Sequence, residues 1–271
     1  YRGVKNELAV TLVQCSLSWE EAEENRSSIK SLLYSHKATS DLIILPEMFT
    51  TGFSMNAKSL AEQMDGKTHL WMKEMAEDLD SVLIGSLIIE ASGKYYNRLL
   101  VVSPSGKTEH YDKRHLFSFA GEDENYHPGL DRLIFECHGW RICPLVCYDL
   151  RFPIWSRNAE LNGGVDANLF DLLIYVANWP KARRQPWINL LEARAHENQA
   201  YVIGVNRIGQ DGNNIEYFGD SVAYSPKGKK LSEIKANQIS VETVLLNKDD
   251  LLAFREKFPV GKDKDRFKLM T

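Results

Sequence analysis

Short apolar runs alternate with longer amphipathic stretches in the first third of the chain. The runs at 8–15, 42–45 and 82–89 are rich in branched residues and predict buried strands. Between them, residues 19–36 and about 68–79 have the mixed pattern that is typical of helices. The order β-α-β-α-β is therefore predicted for this part of the chain.

Tight turns join many of the strands predicted in the middle of the chain. Turns at 92–94, 104–106 and 138–140 contain glycine and separate strands that we expect at 95–103, 108–111, 133–137 and 141–147. A polar loop is expected from 113 to 130. Hairpins pair neighbouring strands antiparallel, so the sheets should be mixed and not purely parallel.

Helices and strands continue to alternate toward the end of the chain. Helices are predicted near 154–161 and at 187–199 and 248–258, the last with Asn247 as its N-cap. Strands are predicted at 172–176, 200–205 and 239–246, with a hairpin around 226–228. We predict an α/β protein, an αββα four-layer sandwich with two mixed β-sheets, in a single domain over 1–271.

Composition excludes several classes of function. The 271 residues are 44% hydrophobic, and 33 basic against 37 acidic side chains leave a net charge of −4. This balance favours neither nucleic acid nor an anionic membrane as a partner. No apolar run approaches the length of a membrane span, and the N-terminus lacks a hydrophobic signal region, so a cytoplasmic protein is expected.

The four cysteines do not form a recognisable metal or disulfide pattern. Cys15, Cys137, Cys143 and Cys147 include no CxxC pair, and no metal site is expected. In a reducing compartment they should be free thiols, and a free cysteine is by default an inert buried side chain. Cys147 differs because Tyr148 and charged residues directly follow the apolar strand that ends there.

Three reactive side chains lie just past the ends of predicted strands. Glu47, Lys113 and Cys147 all occupy this position, where α/β folds place active sites. An ammonium favours the thiolate, and a glutamate can accept the thiol proton. Such a set suits acyl transfer from an amide. Taken singly, Glu47 reads as a capping or loop carboxylate and Lys113 as a surface lysine, and spacing does not show that the three meet.

Three segments that contain these residues resemble the signatures of the nitrilase (carbon–nitrogen hydrolase) superfamily. They are LPEMF at 45–49, YDKRHLF at 111–117 and CYDLRFP at 147–153, in the order of that family. The resemblance implies the αββα sandwich and a Glu47–Lys113–Cys147 triad. It also implies that Cys147 is a nucleophile on a strand-to-helix turn, with the backbone N–H of Tyr148 completing an oxyanion hole beside Lys113.

The resemblance also bears on the loop after Lys113 and on the residue after Pro153. Many members of the family carry a second active-site glutamate in that loop, where this chain offers Glu122 and Glu124. Glu122 matches better, while the alternative is that both are solvated loop charges.

Members often have a glutamate after the RFP motif, but Ile154 stands here. This departure concerns the subgroup and not the reaction class.

Further segments resemble the bacterial ω-amidase branch, which hydrolyses the amide of 2-oxoglutaramate or 2-oxosuccinamate. They lie at 175–187, 190–212 and 254–259. Asn178 and Trp179 follow a predicted strand, and the indole is a candidate pocket wall or a core side chain. Arg183 is the preferred cation for a substrate carboxylate, ahead of Arg184, while the alternative is that both are solvated at the start of a helix. Arg151 is expected to buttress the turn through a salt bridge with Asp149.

These observations predict a cysteine-dependent amidohydrolase that releases ammonia from a small 2-oxo ω-amide through a thioester. The scheme needs no cofactor, and the expected partner is the small-molecule amide, with homodimers implied by the family. Within the same class, a hydrolase of a nitrile, an N-carbamoyl group or another small amide is the alternative. From another class, a non-catalytic or thiol-redox protein would use Cys143 and Cys147, which lie about 13 Å apart along a strand.

Overall fold

The strand ends that carry the polar motifs belong to two sheets. A computed structural model describes residues 3–161 and 168–270. The strands are β1 Glu7–Gln14, β2 Leu42–Ile44, β3 Val82–Ala91, β4 Lys94–Val102, β5 Thr108–Asp112, β6 Phe135–Cys137, β7 Trp140–Val146, β8 Leu172–Ala177, β9 Tyr201–Asn206, β10 Ile208–Gln210, β11 Glu216–Phe218, β12 Val222–Tyr224 and β13 Ser240–Asn247.

Helices of two kinds connect these strands. The α-helices are α1 Ala22–Ser35, α2 Ala57–Leu60, α3 Lys67–Asp78, α4 Glu122–Asn125, α5 Arg184–Asn198 and α6 Lys248–Lys257. Short 3₁₀ helices cover Ser118–Ala120, Cys147–Arg151, Lys181–Arg183 and Val260–Lys262. Within the described residues, no helix combines the length and the apolar character needed to cross a bilayer.

Both large sheets are mixed, as the hairpins predicted. The first has the order β13-β1-β2-β3-β4-β5 and the second the order β12-β9-β8-β7-β6. Parallel pairs lie in the middle of each sheet, β1-β2-β3 in the first and β7-β8-β9 in the second, with antiparallel strands outside them. The strands β10 and β11 form a separate hairpin that the sequence pattern did not predict.

The alternation of side chains along each strand separates two cores. Val10, Leu12 and Ile44 belong to the main core, together with side chains of the second sheet such as Ile174. Ile43, one residue from Ile44, belongs to a second core with side chains of α1 and α3. Successive residues of a strand point to opposite faces. The layers are therefore helix, sheet, sheet and helix, with α5 on the outer face of β9 and β12, which confirms the predicted sandwich.

The predicted helix near 154–161 is wrong. The helical segment comes earlier, at Cys147–Arg151, and turns follow it up to residue 161. The guanidinium of Arg132 accounts for the difference, because it donates to the backbone carbonyls of Trp155, Arg157 and Ala159. Carbonyls of these residues would otherwise accept the hydrogen bonds of a helix. The expected loop 113–130 also contains Ser118–Ala120 and α4.

A buried aspartate ties α6 to the second sheet. Asp171 is fully buried at the start of β8 and accepts hydrogen bonds from Lys248 Nζ at 2.5 Å and Arg255 Nη1 at 3.0 Å. The N-cap that the sequence predicted for α6 is present, since Asn247 Oδ1 accepts the Asp250 N–H at 3.0 Å. Because α6 directly follows β13 of the first sheet, Asp171 links the two sheets.

We expect Asp171→Asn to lower the free energy of unfolding by about 3 kcal/mol, because it leaves the buried Arg255 and the partly buried Lys248 without their anion. Burial alone would raise the pKa of Asp171, but the bonds from Lys248 and the Arg141 N–H lower it on balance. Its stabilisation is thus present at pH 7 and is lost as pH falls below about 4, the ordinary range of an unfolded aspartate.

Urea unfolding at pH 7 and at pH 3.5 measures both effects. The variant should lose less stability than the wild type between the two pH values. Asp249→Asn, at an exposed position in the first turn of the same helix, is the control and should resemble the wild type. Equal acid sensitivity of the wild type and Asp171→Asn would contradict the assignment.

Candidate active site

The polar motifs meet where strands of the two sheets end. Glu47 lies three residues after β2, and Lys113 directly follows β5, both in the first sheet. Cys147 directly follows β7, and Asn178 directly follows β8, both in the second. The rigid sheets fix the backbone at these points, while the loops leave the side chains free to face one another.

A buried lysine lies between two buried glutamates. Lys113 Nζ donates to Glu47 Oε1 at 2.9 Å and to Glu122 Oε2 and Oε1 at 2.8 and 3.0 Å. The side chains of all three residues are 0% exposed. The structure thus brings Lys113 and Glu47, which follow the ends of different strands, into direct contact. Both glutamates pair with the same ammonium, which offsets the cost of burying their charges.

Two asparagines orient the carboxylates. Asn97 Nδ2 donates to Glu47 Oε1 at 2.8 Å and to Glu122 Oε1 at 3.1 Å. Asn178 donates its backbone N–H to Glu47 Oε2 at 2.8 Å and its Nδ2 to the Glu47 carbonyl at 2.5 Å. Sequence reasoning missed Asn97. A signal was present, because a lone amide stands in the interior of the apolar strand β4.

The loop offers one buried glutamate and one exposed glutamate. Glu122 is the first residue of α4, fully buried, and also accepts the Phe117 N–H at 2.5 Å. Glu124 lies in the same short helix but is exposed. The structure thus places Glu122, and not Glu124, against Lys113. The alternative that both are solvated loop charges is wrong for Glu122.

Cys147 occupies a sharp turn between β7 and the 3₁₀ helix. Its φ is +45°, in the left-handed region that L-residues rarely adopt. The family resemblance implied a strand-to-helix turn at this residue, and the structure has Cys147 at the junction of β7 and the 3₁₀ helix. The 3₁₀ helix begins at Cys147, so the Tyr148 N–H belongs to its first turn, where backbone N–H groups have no partner within the helix.

The electrostatics keep the thiol neutral and the ammonium charged. Burial raises the pKa of Cys147 well above its ordinary value, and Glu47 raises it further, also through a hydrogen bond, while Lys113 lowers it. Burial would lower the pKa of Lys113, but the carboxylates of Glu122 and Glu47 outweigh burial and raise it. At neutral pH the cluster therefore contains a thiol that needs a base and a permanent ammonium.

A cavity of about 750 Å³ opens at this cluster. Lys113, Cys147 and Asn178 line it, and so does Trp179, which is nearly buried and also packs in the main core. The two sequence-based readings of Trp179, as pocket wall and as core side chain, therefore both hold. Most of the remaining wall is apolar or aromatic, from Phe53, Phe117, Phe119, Tyr148, Ile215 and Tyr217.

The guanidinium groups of Arg151 and Arg183 line the cavity, and neither has a carboxylate partner in the described residues. Arg183 stands over the rings of Phe117 and Phe119, with its Cζ 5.2 and 5.4 Å from their centroids. Arg184 is instead exposed and bonded to Asp220 at 2.6 and 2.8 Å. Of the two sequence candidates for a free cation, Arg183 is the one that faces the cavity.

The expected salt bridge between Arg151 and Asp149 is wrong. The Arg151 guanidinium lines the cavity and lies 5.1 Å from the centroid of the Trp179 ring. The Asp149 carboxylate is fully buried and already satisfied by donors from other segments, so it has no need of the arginine. Two residues apart on a 3₁₀ helix, the side chains point in different directions, which sequence proximity did not reveal.

No set of three or more His, Cys, Asp or Glu side chains within residues 3–161 and 168–270 has a geometry that would hold a metal. The four cysteines are buried free thiols. The chemistry that this arrangement supports is nucleophilic attack by a thiol beside a carboxylate base and a fixed ammonium.

Comparisons with known proteins agree with this chemistry. Omega-amidase YafV of Escherichia coli strain K12 is 43% identical over 97% of this chain and 98% of that protein. The 2-oxoglutaramate amidase of Bacillus subtilis is 28% identical over 94% of this chain and 96% of that protein. Both alignments extend over nearly the full length of each protein.

A solved structure agrees as closely. XC1258 of Xanthomonas campestris, a CN-hydrolase superfamily protein with an arsenic adduct in the active site, superposes with a TM-score of 0.93 at 42% identity. The match covers 98% of this chain and 100% of that one. The family profile described as Carbon-nitrogen hydrolase matches residues 9–256. The chain therefore belongs to the carbon–nitrogen hydrolase family.

Proposed function

We propose that this protein is an ω-amidase that releases ammonia from the ω-amide of a small 2-oxo dicarboxylate monoamide such as 2-oxoglutaramate or 2-oxosuccinamate. The observation that carries the proposal is the buried contact of Lys113 with Glu47 and Glu122 at the floor of the cavity that Cys147 also lines. The names of the relatives, an omega-amidase and a 2-oxoglutaramate amidase, support the choice of substrate.

In the first half-reaction, the amide is converted to a thioester. The Cys147 sulfur attacks the amide carbon while its proton passes to Glu47, the carboxylate to which the thiol is hydrogen-bonded at rest. The carbonyl oxygen becomes an oxyanion between Lys113 Nζ and the backbone N–H of Tyr148. The C–N bond then breaks as Glu47 returns the proton to nitrogen, and ammonia leaves.

In the second half-reaction, water replaces ammonia. Glu47 takes a proton from a water molecule, and the resulting hydroxide attacks the thioester carbon. The same oxyanion position stabilises this intermediate. The C–S bond breaks, the sulfur recovers a proton from Glu47, and the dicarboxylic acid leaves. Over the cycle the thiol proton leaves with ammonia and a proton from water replaces it on sulfur. Cys147 and Glu47 therefore end in their starting protonation states, and the scheme uses no cofactor.

The substrate's charge supports the proposed role of the cavity cations. An ammonium has three N–H donors, and Lys113 uses its bonds on two glutamates and the proposed oxyanion, so a distal carboxylate requires another cation. We assign Arg183 to it, because its guanidinium faces the cavity and has no carboxylate partner among the described residues. Trp179 and Asn178, which directly follow β8, position the substrate from the end of that strand.

We also propose that the protein is a cytoplasmic homodimer. A surface groove near the turn after Cys147 supports pairing, because Pro153 and Ile154 lie there beside Val260 and Phe267 of the C-terminal segment. Ile154 is 48% exposed, and together these four side chains give the groove contiguous apolar surface, which is typical of an interface. This is the position where members of the resembled family often have a glutamate.

The triad can be tested by ammonia release. We expect wild-type protein to release ammonia from 2-oxoglutaramate and 2-oxosuccinamate, and Cys147→Ala to release none. Glu47→Gln and Lys113→Met should lose about 10³-fold in kcat with their circular dichroism unchanged, since they remove the base and the oxyanion donor. Cys143→Ser is the matched thiol control and should keep its activity.

Three results would contradict this scheme. Near wild-type turnover by Glu47→Gln would remove the base assignment. Hydrolysis of a nitrile or an N-carbamoyl compound, with both 2-oxo amides left intact, would favour the alternative member of the same class. Loss of activity in Cys143→Ser but not in Cys147→Ala would point to the redox alternative.

We predict that Glu122 and Glu124 behave differently. Glu122→Ala should reduce kcat/KM by about 100-fold, because Lys113 loses the partner that holds its ammonium in place. Cys147 should still react with iodoacetamide, since the nucleophile itself remains. Glu124→Ala, which removes an exposed carboxylate from the same helix, is the control. Wild-type kcat/KM in the Glu122 variant would show that its carboxylate does not serve the reaction.

For the substrate carboxylate, Arg183→Ala should raise KM for 2-oxoglutaramate about tenfold or more with little change in kcat, as expected for lost ground-state binding. Hexanamide, which has no carboxylate, should show no such change. Arg184→Ala is the control, because that arginine is paired with Asp220. Steady-state kinetics of the Arg183 and Arg184 variants on 2-oxoglutaramate and hexanamide measure these effects. An unchanged KM of Arg183→Ala for 2-oxoglutaramate would refute the assignment.

A further inference from the structure

One buried carboxylate that the proposed reaction does not use contacts both reactive segments. Asp149 is 0% exposed and lies two residues after Cys147. Its Oδ2 accepts hydrogen bonds from the Val146 N–H at 3.0 Å and the Tyr111 hydroxyl at 2.8 Å. Its Oδ1 accepts from the backbone N–H of His115 at 3.1 Å and from His115 Nδ1 at 2.8 Å.

These four bonds bracket both reactive side chains. Tyr111 precedes Lys113 by two residues and His115 follows it by two, so the chain on both sides of the lysine is tied to one carboxylate. Val146 precedes Cys147, so the same carboxylate also closes the turn around the nucleophile. The two oxygens accept four donors, which uses the hydrogen-bonding capacity of a carboxylate.

The partners of Asp149 are themselves held in place. The His115 imidazole stacks on Phe152, with centroids 3.7 Å apart and an angle of 5° between the planes. The Tyr111 hydroxyl accepts from Trp155 Nε1 at 2.9 Å and from the Arg114 N–H at 3.2 Å. The lysine segment and the cysteine turn therefore form one hydrogen-bonded unit with the carboxylate at its centre.

This unit meets a need of the chemistry. Cys147 sits at a φ of +45°, a conformation that costs free energy and persists only where the surroundings impose it. Reacting groups must keep their separation to within about 0.5 Å for an efficient reaction. The bonds of Asp149 directly link the backbone turn that carries the sulfur to the backbone of the segment that carries the ammonium.

We infer that Asp149, with His115, is a positioning residue that sets the separation of the Lys113 ammonium from the Cys147 sulfur. It acts through the backbone on either side of both groups and touches neither the substrate nor the reacting atoms. The inference rests on the proposed role of Lys113 and Cys147, but it concerns a carboxylate outside the Glu47–Lys113–Cys147 set.

The test uses Asp149→Asn in the full-length protein. Every partner of Asp149 donates a hydrogen bond. In the asparagine, one of the two oxygens becomes an NH₂ group, which cannot accept, so the hydrogen bonds made by that oxygen are lost. We expect kcat to fall about 100-fold, the cost of a displacement of about 1 Å, with KM within about twofold of the wild type. Asp171→Asn is the matched control, since it removes another fully buried, multiply bonded aspartate remote from the cavity lining.

A second readout needs no substrate. The rate of Cys147 alkylation by iodoacetamide, followed on its own peptide by mass spectrometry, rises with pH as the thiolate forms. Glu47, Lys113 and Glu122 are the charged groups that act on this thiol, and the titratable phenol of Tyr217, which lines the same cavity, also interacts with it. Because the ammonium lowers the thiol pKa, moving it away should shift the alkylation midpoint of Asp149→Asn to higher pH. Asp171→Asn should leave the midpoint unchanged.

Two variants of His115 keep the test decisive if Asp149→Asn fails to fold. His115→Ala removes one donor and should lower kcat about tenfold with an upward shift of the midpoint. His115→Asn places an amide donor near the position of Nδ1. It should restore most of the wild-type kcat and bring the alkylation midpoint most of the way back to that of the wild type. Equal behaviour of the Ala and Asn variants would overturn the inference.

Results with Asp149→Asn and with the wild type can also overturn the inference or the proposed function. Wild-type kcat and midpoint in Asp149→Asn would overturn the inference. A loss of activity that matches the loss of stability and also occurs in Asp171→Asn, with neither midpoint moved, would reduce Asp149 to a structural role and overturn it too. If the wild type hydrolyses no ω-amide, the proposed function fails, while the alkylation midpoints still decide the role of Asp149.

Discussion

The buried ammonium of Lys113 is the interaction on which the site depends. It lies between two carboxyl groups of zero exposure, and burial raises the pKa of Glu122 even though the ammonium lowers it. Burial, and after it the carboxylate of Glu47, raise the pKa of the Cys147 thiol and keep it protonated at rest. In the proposed reaction the thiol loses its proton as it attacks, and Glu47, its hydrogen-bond partner, receives that proton.

The two-sheet architecture is what brings these charges together. Glu47, Asn97 and Lys113 come from the first sheet and its loops, whereas Cys147 and Asn178 come from the ends of strands in the second. Hydrogen bonds cross between the sheets, from Asn178 to Glu47 and from Tyr111 to Asp149. Packing of the sheets and geometry of the site are thus coupled, since a shift of one sheet against the other would stretch the same bonds that orient the reacting groups.

The cavity above the cluster combines apolar walls with two cations that lack carboxylate partners in the described residues. Arg151 and Arg183 each stand over aromatic rings, which keeps a guanidinium extended without an anion beside it. An aromatic wall excludes water, and in such a site charges act on one another more strongly than in solvent. The same surroundings that raise the pKa of the thiol therefore strengthen the attraction of the cavity for an anionic substrate.

The sequence by itself determined the strand pattern, the mixed sheets and the reactive residues at strand ends, because alternation along a strand and hairpin turns are local properties. Its resemblance to known family members also favoured Glu122 over Glu124 and Arg183 over Arg184. Only the tertiary structure decided that Asn97 spans both glutamates, that Arg151 faces the cavity instead of Asp149, and that 154–161 is not helical. In each case the deciding partner is distant in sequence, such as Arg132 for the carbonyls of 155–159, and competition for hydrogen bonds across the fold leaves no trace in local pattern.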